Sequence, residues 1–429
     1  MASGTSTDTG VTPSSDKYSL SLATLELDLE SEGDSAETRD VNPSGSVKAN
    51  TGVGNPAAEP ATGGRMPLPC RARVLAALAH QPTDRVPRLL YEEAIGYTPP
   101  MERLLREHCA PQSPREYFDM DITRVTFHPT RLPRSRFADW LGSDAEASLA
   151  RGEVDEWGVR RRRGDFHHFV RFEPSLRGIR DSRQLEEYPW PDLDQSYRWI
   201  GVRERVQALQ HEGLAVVGYA GSIFERSWSL RGMEDLMMDM LRSPPLAHQL
   251  FERTAALQCS AAEKFASAGV DIVITGDDVA GQQGLLMKPG MWREFLKPRL
   301  AATIRAIKKI RSKTYVFYHS DGNVEALIPE LIEIGVDILN PVQPECMDPA
   351  AIKRRFGDRL SFWGTVSVQK TMPFGTSDDV RSEVRARIRD VGGGGGFILA
   401  PAHVLGPETP WENIVAFFEA ANERRVPGL

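Results

Sequence analysis

Two rhythms of apolar residues alternate through the second half of this 429-residue chain. Short, β-branched runs read as buried strands: AVVGYA (215–220), DIVITGDD (271–278), TYVFYHSDG (314–322), GVDILNPVQ (335–343), LSFWGTVS (360–367) and GFILAPAH (396–403). Between them, residues near 246–268, 290–312, 323–334 and 377–390 carry the spacing of amphipathic helices. Asp348-Pro349 and Ser377 supply helix starts. Upstream, Cys70–Ala79 reads as a helix with Val74, Leu75 and Leu78 on its apolar face. Asp84-Arg85-Val86-Pro87 then leads into an apolar stretch, and 121–127 reads as a strand. Residues 154–174 alternate about Gly164 as a hairpin does, and its run Arg160–Arg163 is expected to be a solvated face, with an anion-binding wall as the second reading.

Strand-then-helix repetition implies parallel pairing with right-handed crossovers. At least six such strands in about 360 residues fit an α/β fold of the TIM (β/α)8 barrel type better than an open sheet. The open sheet also lacks its signal, since no G-x-G-x-x-G follows a strand. The expected organisation is a tail over 1–65 and a catalytic barrel over 66–429 with a β-hairpin insertion. The tail is rich in Ser, Thr and Gly, has ten acidic residues against four basic ones, and carries Tyr18 as its one aromatic. Such a segment buries too little apolar surface to offset its ordering entropy, so it reads as disordered. Within it, Leu20, Leu22, Leu25, Leu27 and Leu29 form either a docking strand for a partner or a mildly apolar patch.

The chain's net charge of -7 sits almost wholly in that tail, which leaves a near-neutral body with no electrostatic case for nucleic acid. No apolar run approaches the roughly 20 residues of a membrane span, and no secretory or transit signal opens the chain. The four cysteines, Cys70, Cys109, Cys259 and Cys346, are far apart, which excludes a disulfide framework and fits a reducing, cytoplasmic setting.

The strands end in chemistry. Asp277-Asp278, His319-Ser-Asp321-Gly-Asn323, Asn340 through Gln343 to Glu345, Thr365 to Gln369, and His403 all follow apolar runs. In an α/β barrel those ends converge on one mouth, where active sites are built. His319 and Asp321 project to the same side of an extended backbone, a pair that can chelate one divalent metal with His403 as third ligand. Two imidazoles and one carboxylate leave open positions on zinc, as catalysis requires. The alternative is that both histidines are hydrogen-bonded groups or proton carriers without metal. Asp277 and Asp278, being adjacent, point oppositely, so one enters the pocket and the other caps a helix or pairs with an arginine. Gly392–Gly396 precedes a strand rather than opening a helix, so it reads as a flexible turn and not a phosphate loop. The remaining histidines show no ligand spacing, and Cys346 reads as an inert lone thiol.

The blocks RARVLAALAHQPTDRVPRLLYE, DEWGV, YHSDGN, GVDILNPVQPECMDPAAIKRRFGDRLSFWGTVSVQ and LAPAHVLGPETPWENI together resemble the uroporphyrinogen decarboxylase superfamily, over about residues 70–425. The resemblance implies a TIM barrel and one of two chemistries. One is cofactor-free decarboxylation of a porphyrinogen. The other is methyl transfer from a corrinoid, carried on a partner protein, to an acceptor activated by zinc. The decarboxylase pattern P-x-W-x-M-R-Q-A-G-R is replaced here by RLLYEEAIGYTPP. The methyltransferases' H-x-C and P-G-C ligands correspond to His319, Asp321 and His403, with harder donor types.

The reading favoured is therefore a metal-dependent methyltransferase acting on a small molecule. In it Asp277, Asp278, Glu345 and His403 are catalytic, and Asn323, Asn340, Gln343 and Gln369 contact substrate. The runner-up is a decarboxylase in which Asp277 or Asp278 stabilises a protonated intermediate, and the third reading is a ligand-binding barrel without catalysis. Homodimers are common in the superfamily.

Overall fold

Runs that are apolar on both faces must find their hydrogen bonds in neighbouring strands, and here they find them in parallel. The computed structural model describes residues 67–163 and 170–423. Its main sheet has strands β1 Ile122–Val125, β2 Ala215–Tyr219, β3 Ile272–Gly276, β4 Tyr315–His319, β5 Ile338–Asn340, β6 Ser361–Val366 and β7 Phe397–Pro401. They pair in chain order, from Ile122 beside Ala215 to Phe362 beside Phe397. The sheet closes on itself through residues 87–91. The Leu399 N–H donates to Pro87 O (2.8 Å), the Leu89 N–H to Leu399 O (3.2 Å), and the Asp121 N–H to Arg88 O (3.1 Å). This segment is the eighth stave of a TIM barrel, and it is irregular because Pro87 brings no N–H to the ladder.

Helix α1 (Cys70–Leu78) covers the end where the strands begin. The Arg71 N–H donates to Gly213 O (2.6 Å) and the Gly396 N–H to Ala77 O (2.7 Å). Asp121, fully buried at this end, accepts from Arg73, from Arg85 (2.5 Å) and from the backbone of Arg88 (2.9 Å). Gly392–Gly396 lies here too, ahead of β7 and opposite the mouth. Gly396 has φ +66°, and a Cβ on it would fall 2.4 Å from the His80 ring. The run is thus a packed turn.

Some expectations need correction. The hairpin forms, with Arg160–Arg163 antiparallel to Val170–Glu173, while residues 164–169, with the Gly164 about which the turn is expected, lie outside the described residues. Arg160 and Arg161 are not a solvated face. Arg160 is buried and donates to Glu173 (2.6 Å) and Leu141 O (2.7 Å), and buried Arg161 donates to Asp155 (2.8 Å). The carboxylates that draw them in are Glu173 on the paired strand, Asp155 just ahead of the hairpin, and Asp144 from the preceding turn. The helix expected over 290–312 is two, Pro289–Phe295 and Lys297–Ile310, because Pro298 cannot donate back into the preceding turn. Thr376, one residue before Ser377, caps Ser377–Asp390 by accepting from the Asp379 N–H (3.2 Å). The tail over 1–65 and its leucine segment lie outside the described residues. Among the described residues, no helix is long and apolar enough to cross a membrane.

Candidate metal centre

β4 ends in His319, and the chain then turns sharply enough to bring Asp321 back beside it. Gly276 on β3 pairs with His319, and a Cβ there would fall 2.6 Å from His319 Cβ, so glycine lets the histidine sit flush against the sheet. His403 arrives two residues after β7. One ligand atom from each of His319, Asp321 and His403 lies within 4.8 Å of the other two, and all three side chains are buried.

The orientation of His319 is fixed from behind. Asn340, the last residue of β5, donates through Nδ2 to Trp363 O (2.8 Å), so its Oδ1 is the atom facing His319 Nδ1, at 2.5 Å. Nδ1 therefore carries the proton, and the lone pair of Nε2 points into the cluster. Nε2 has no hydrogen-bond partner there; Asp278 Oδ1 stands 3.4 Å away and Asp321 Oδ1 3.6 Å. Both oxygens of Asp321 and both ring nitrogens of His403 are likewise buried without partners. Five orphaned donor atoms in one place are costly unless something occupies the space between them. A divalent cation fits that set, since His319 Nε2, an Asp321 oxygen and the unprotonated nitrogen of His403 can each offer it a lone pair.

The electrostatics agree. Burial, with His319 beside it, drives His403 well below the usual imidazole range, and burial also lowers His319, so both rings are neutral. Burial, reinforced by Asp278, pushes the Asp321 carboxyl well up, and burial raises Asp278. A cation would reverse that penalty.

The other expected residues fall in different places. Asp278 enters the cluster: Oδ1 accepts from the Asp321 N–H (2.8 Å) and Oδ2 is unpartnered. Asp277 turns away. Its Oδ1 accepts from the N–H groups of Ile223 (2.8 Å), Phe224 (2.5 Å) and Glu225 (3.3 Å), capping helix α2 (Phe224–Arg231). Gln343 is spent on the Gly322 N–H (2.8 Å), and Asn323 Oδ1 accepts from the Glu325 N–H (3.2 Å). Gln369 accepts from Gln282 at the rim (3.1 Å), and Glu345 accepts from Ser367 while Oε2 has no partner.

Sequence reasoning missed Tyr91 and Glu92. Tyr91 ends the eighth stave, its hydroxyl 3.1 Å from His319 Nδ1 and its ring 5.6 Å from that of His403. The signal was available, since Tyr91 closes the apolar run RLLY as His319 closes YVFYH. Glu92 is fully buried and accepts from the Leu405 N–H (2.6 Å) on the loop after His403. Burial pushes its carboxyl up to about 7. A group raised in the folded state stabilises below its unfolded value and loses that contribution as pH rises through about 7. Glu92→Gln is therefore expected to leave stability nearly unchanged at about pH 4, below the unfolded value, and to raise it by about 1–3 kcal/mol at about pH 8.5, read as a shift in urea midpoint.

The sequence model of uroporphyrinogen decarboxylase (URO-D) matches residues 170–424, more than half of the chain. The chain belongs to the uroporphyrinogen decarboxylase family. Among relatives of this family member, the methylcobamide:CoM methyltransferase MtaA of Methanosarcina barkeri is 30% identical over 255 residues, 58% of this chain and 72% of that protein. The uroporphyrinogen decarboxylase of Coxiella burnetii is 23% identical over 364 residues, 81% of this chain and 93% of that protein. A solved methyltransferase structure from Methanosarcina mazei superposes with TM-score 0.59 at 20% identity, covering 83% of this chain and 98% of that one, and shares its fold.

Proposed function

We propose that this family member is a metal-dependent methyltransferase that moves a methyl group from a corrinoid, carried on a separate protein, to a small-molecule acceptor. The observation that carries the reading is the set of orphaned, buried donor atoms on His319, Asp321 and His403. Similarity to the Methanosarcina barkeri methyltransferase supports it. These three side chains would hold the ion, zinc in the first instance; a bound divalent ion lowers the pKa of an acceptor group placed on it.

The chain's own residues do the rest. Asn340 sets the His319 tautomer, and Tyr91 walls the space between the two imidazoles. Asp278 Oδ2, unpartnered and on a carboxyl raised by burial, is placed to take the acceptor's proton. Glu345 Oε2 faces no partner and is the second group available to orient an acceptor. A site without thiolates is harder than a Cys-containing one, which favours nitrogen and oxygen acceptors alongside thiols.

The test is methyl loss from free methylcobalamin, followed by its absorbance change, with zinc-loaded protein and a panel of thiol, amine and phenol acceptors. Zinc-dependent demethylation with one acceptor class is expected. Turnover of a carboxylated ring that survives exhaustive chelation would replace this reading by the decarboxylase one. Asn340→Ala is expected to weaken zinc binding roughly 10–100-fold, as loss of an orienting partner does, with Asn340→Asp restoring most of it. Competition with a chromophoric chelator measures both.

A further inference from the structure

The acidic tail has a counterpart at the end of the barrel opposite the metal centre. Helix α3 (Lys297–Ile310) and the loop that leads from it into β4 carry Arg305, Lys308, Lys309, Arg311 and Lys313, with no acidic residue between 305 and 313. The loop precedes a strand, so it lies at the end that α1 covers and not at the mouth. Of these five cations, Lys308 alone forms an ion pair among the described residues, with Asp337 (2.6 Å). That carboxylate is fully engaged, since it also accepts from the Val316 N–H (2.7 Å). Arg305, Lys309 and Lys313 are exposed, and Ile310, in their midst, is 42% exposed. The helix dipole accounts for Lys308 and Lys309 in the last turn. It accounts neither for Lys313 beyond the helix nor for an apolar side chain left in water among cations.

The same chain holds the complement. Residues 26–40 contain seven acidic residues and one basic one, and Leu25, Leu27 and Leu29 alternate with Glu26, Asp28 and Glu30. Such a segment matches a row of cations around one exposed isoleucine, charge to charge and apolar to apolar. The described chain also begins beside that row. Arg71, at the start of α1, pairs with Asp271 (2.9 Å), and a Cβ on nearby Gly269 would fall 3.0 Å from the Arg311 guanidinium. Residues 41–66, which join the acidic segment to this point, can reach at most roughly 90 Å, so length does not limit the contact. Single exposed ion pairs are weak, but a tether raises the local concentration of the segment to about the millimolar range, where several weak pairs suffice.

We propose that the acidic, leucine-bearing segment 25–40 docks on the basic face of α3 and its following loop in its own chain. The tail then lies across the end of the barrel away from the chemistry, and the mouth stays open. The inference does not rest on the methyltransferase reading.

The test is carbodiimide cross-linking of the full-length protein, which joins a carboxylate to a lysine in contact with it, with the linked peptides mapped by mass spectrometry. Lys288 and Lys370, exposed on loops at the mouth, are the internal comparison. Links from segment 25–40 to Lys309 and Lys313 are expected at least about tenfold more often than to those two. They should vanish at about 0.5 M salt, where screening confines charge interactions to a few ångströms. Arg305→Gln/Arg311→Gln keeps both lysines and is expected to cut the yield about threefold or more, while Arg305→Lys/Arg311→Lys retains it. An unchanged melting temperature in both double variants separates lost docking from lost folding. Links spread evenly over all four lysines, or none from the tail, would overturn the proposal. Links that form mainly between chains in a mixture of nitrogen-14 and nitrogen-15 protein would overturn it in favour of a second copy. Retention of the wild type on heparin at physiological salt, without tail links, would assign the face to a polyanionic partner instead.

Discussion

Replacing His319 with alanine is expected to strip the protein of its divalent ion, weakening affinity well beyond the roughly 10–100-fold of an outer-shell change. The freshly purified wild type should carry close to one equivalent of metal per chain by elemental mass spectrometry, and the His319→Ala and Asp321→Ala variants close to none. The argument is one of satisfaction. His319 Nε2, Asp321 Oδ1 and Oδ2, and both nitrogens of His403 are buried and unpartnered. Water could serve such a set only if it donated at once to His319 Nε2, to Asp321 and to the unprotonated nitrogen of His403, and a single water has two protons to give. The metal-loaded wild type should also melt higher than its chelated form, because an ion that binds only the folded chain stabilises it by mass action. The alanine variants should melt at the same temperature with and without chelator. Wild-type protein without metal, and indifferent to added zinc, cobalt or manganese, would leave the two histidines as acid–base groups and move decarboxylation to the front.

The route from sequence to this site went through strand ends. Buried parallel strands must be apolar along their length, so a run that stops in His-x-Asp or Asp-Asp announces which residues stand at the mouth. That logic places His319, Asp321, His403 and Asp278 together, because each follows its strand by at most two residues. It weakens with distance from the strand. Asn323, Gln343 and Gln369 follow turns whose course depends on tertiary contacts, and each turns its amide oxygen back to the protein, accepting from Glu325, Gly322 and Gln282 respectively. Asn340 shows a different limit. A polar residue at a strand end reads as substrate-facing, yet one that lies against a ligating histidine works behind it, and only the Trp363 carbonyl reveals which way its amide turns. The eighth stave was hardest to see, since a single proline and one bridge to Leu399 leave no strand pattern. Tyr91 and Glu92 were lost with it. The arginine run misled because like charges in a row normally repel into water, while here Glu173 and Asp144 draw Arg160 inward and Asp155 draws Arg161.

Asp277→Ala is expected to destabilise the protein by about 3–5 kcal/mol, because it leaves three buried N–H groups at the start of α2 without an acceptor. Asp277→Asn should cost under about 1.5 kcal/mol, since an amide oxygen can accept the same bonds. Denaturant midpoints measure both. The contrast decides what the Asp277-Asp278 pair is for. Burial pushes the Asp277 carboxyl up to about 8 against the pull of its three donors, so a catalytic role for its proton is conceivable on electrostatics alone. Geometry favours a place in the frame, because one carboxyl oxygen of Asp277 accepts from Ile223, Phe224 and Glu225, while Asp278 keeps an open oxygen beside His319. An Asp277→Asn protein that is stable, metal-replete and active would assign Asp277 to the frame, and Asp278→Asn in the same assay should lose turnover while keeping its fold. An Asp277→Asn protein that is stable and metal-replete yet inactive would mean that the ionisable proton at Asp277 is part of the chemistry. The decarboxylase reading, which needs an acid at this position and no metal, would then account for more of the site than methyl transfer does.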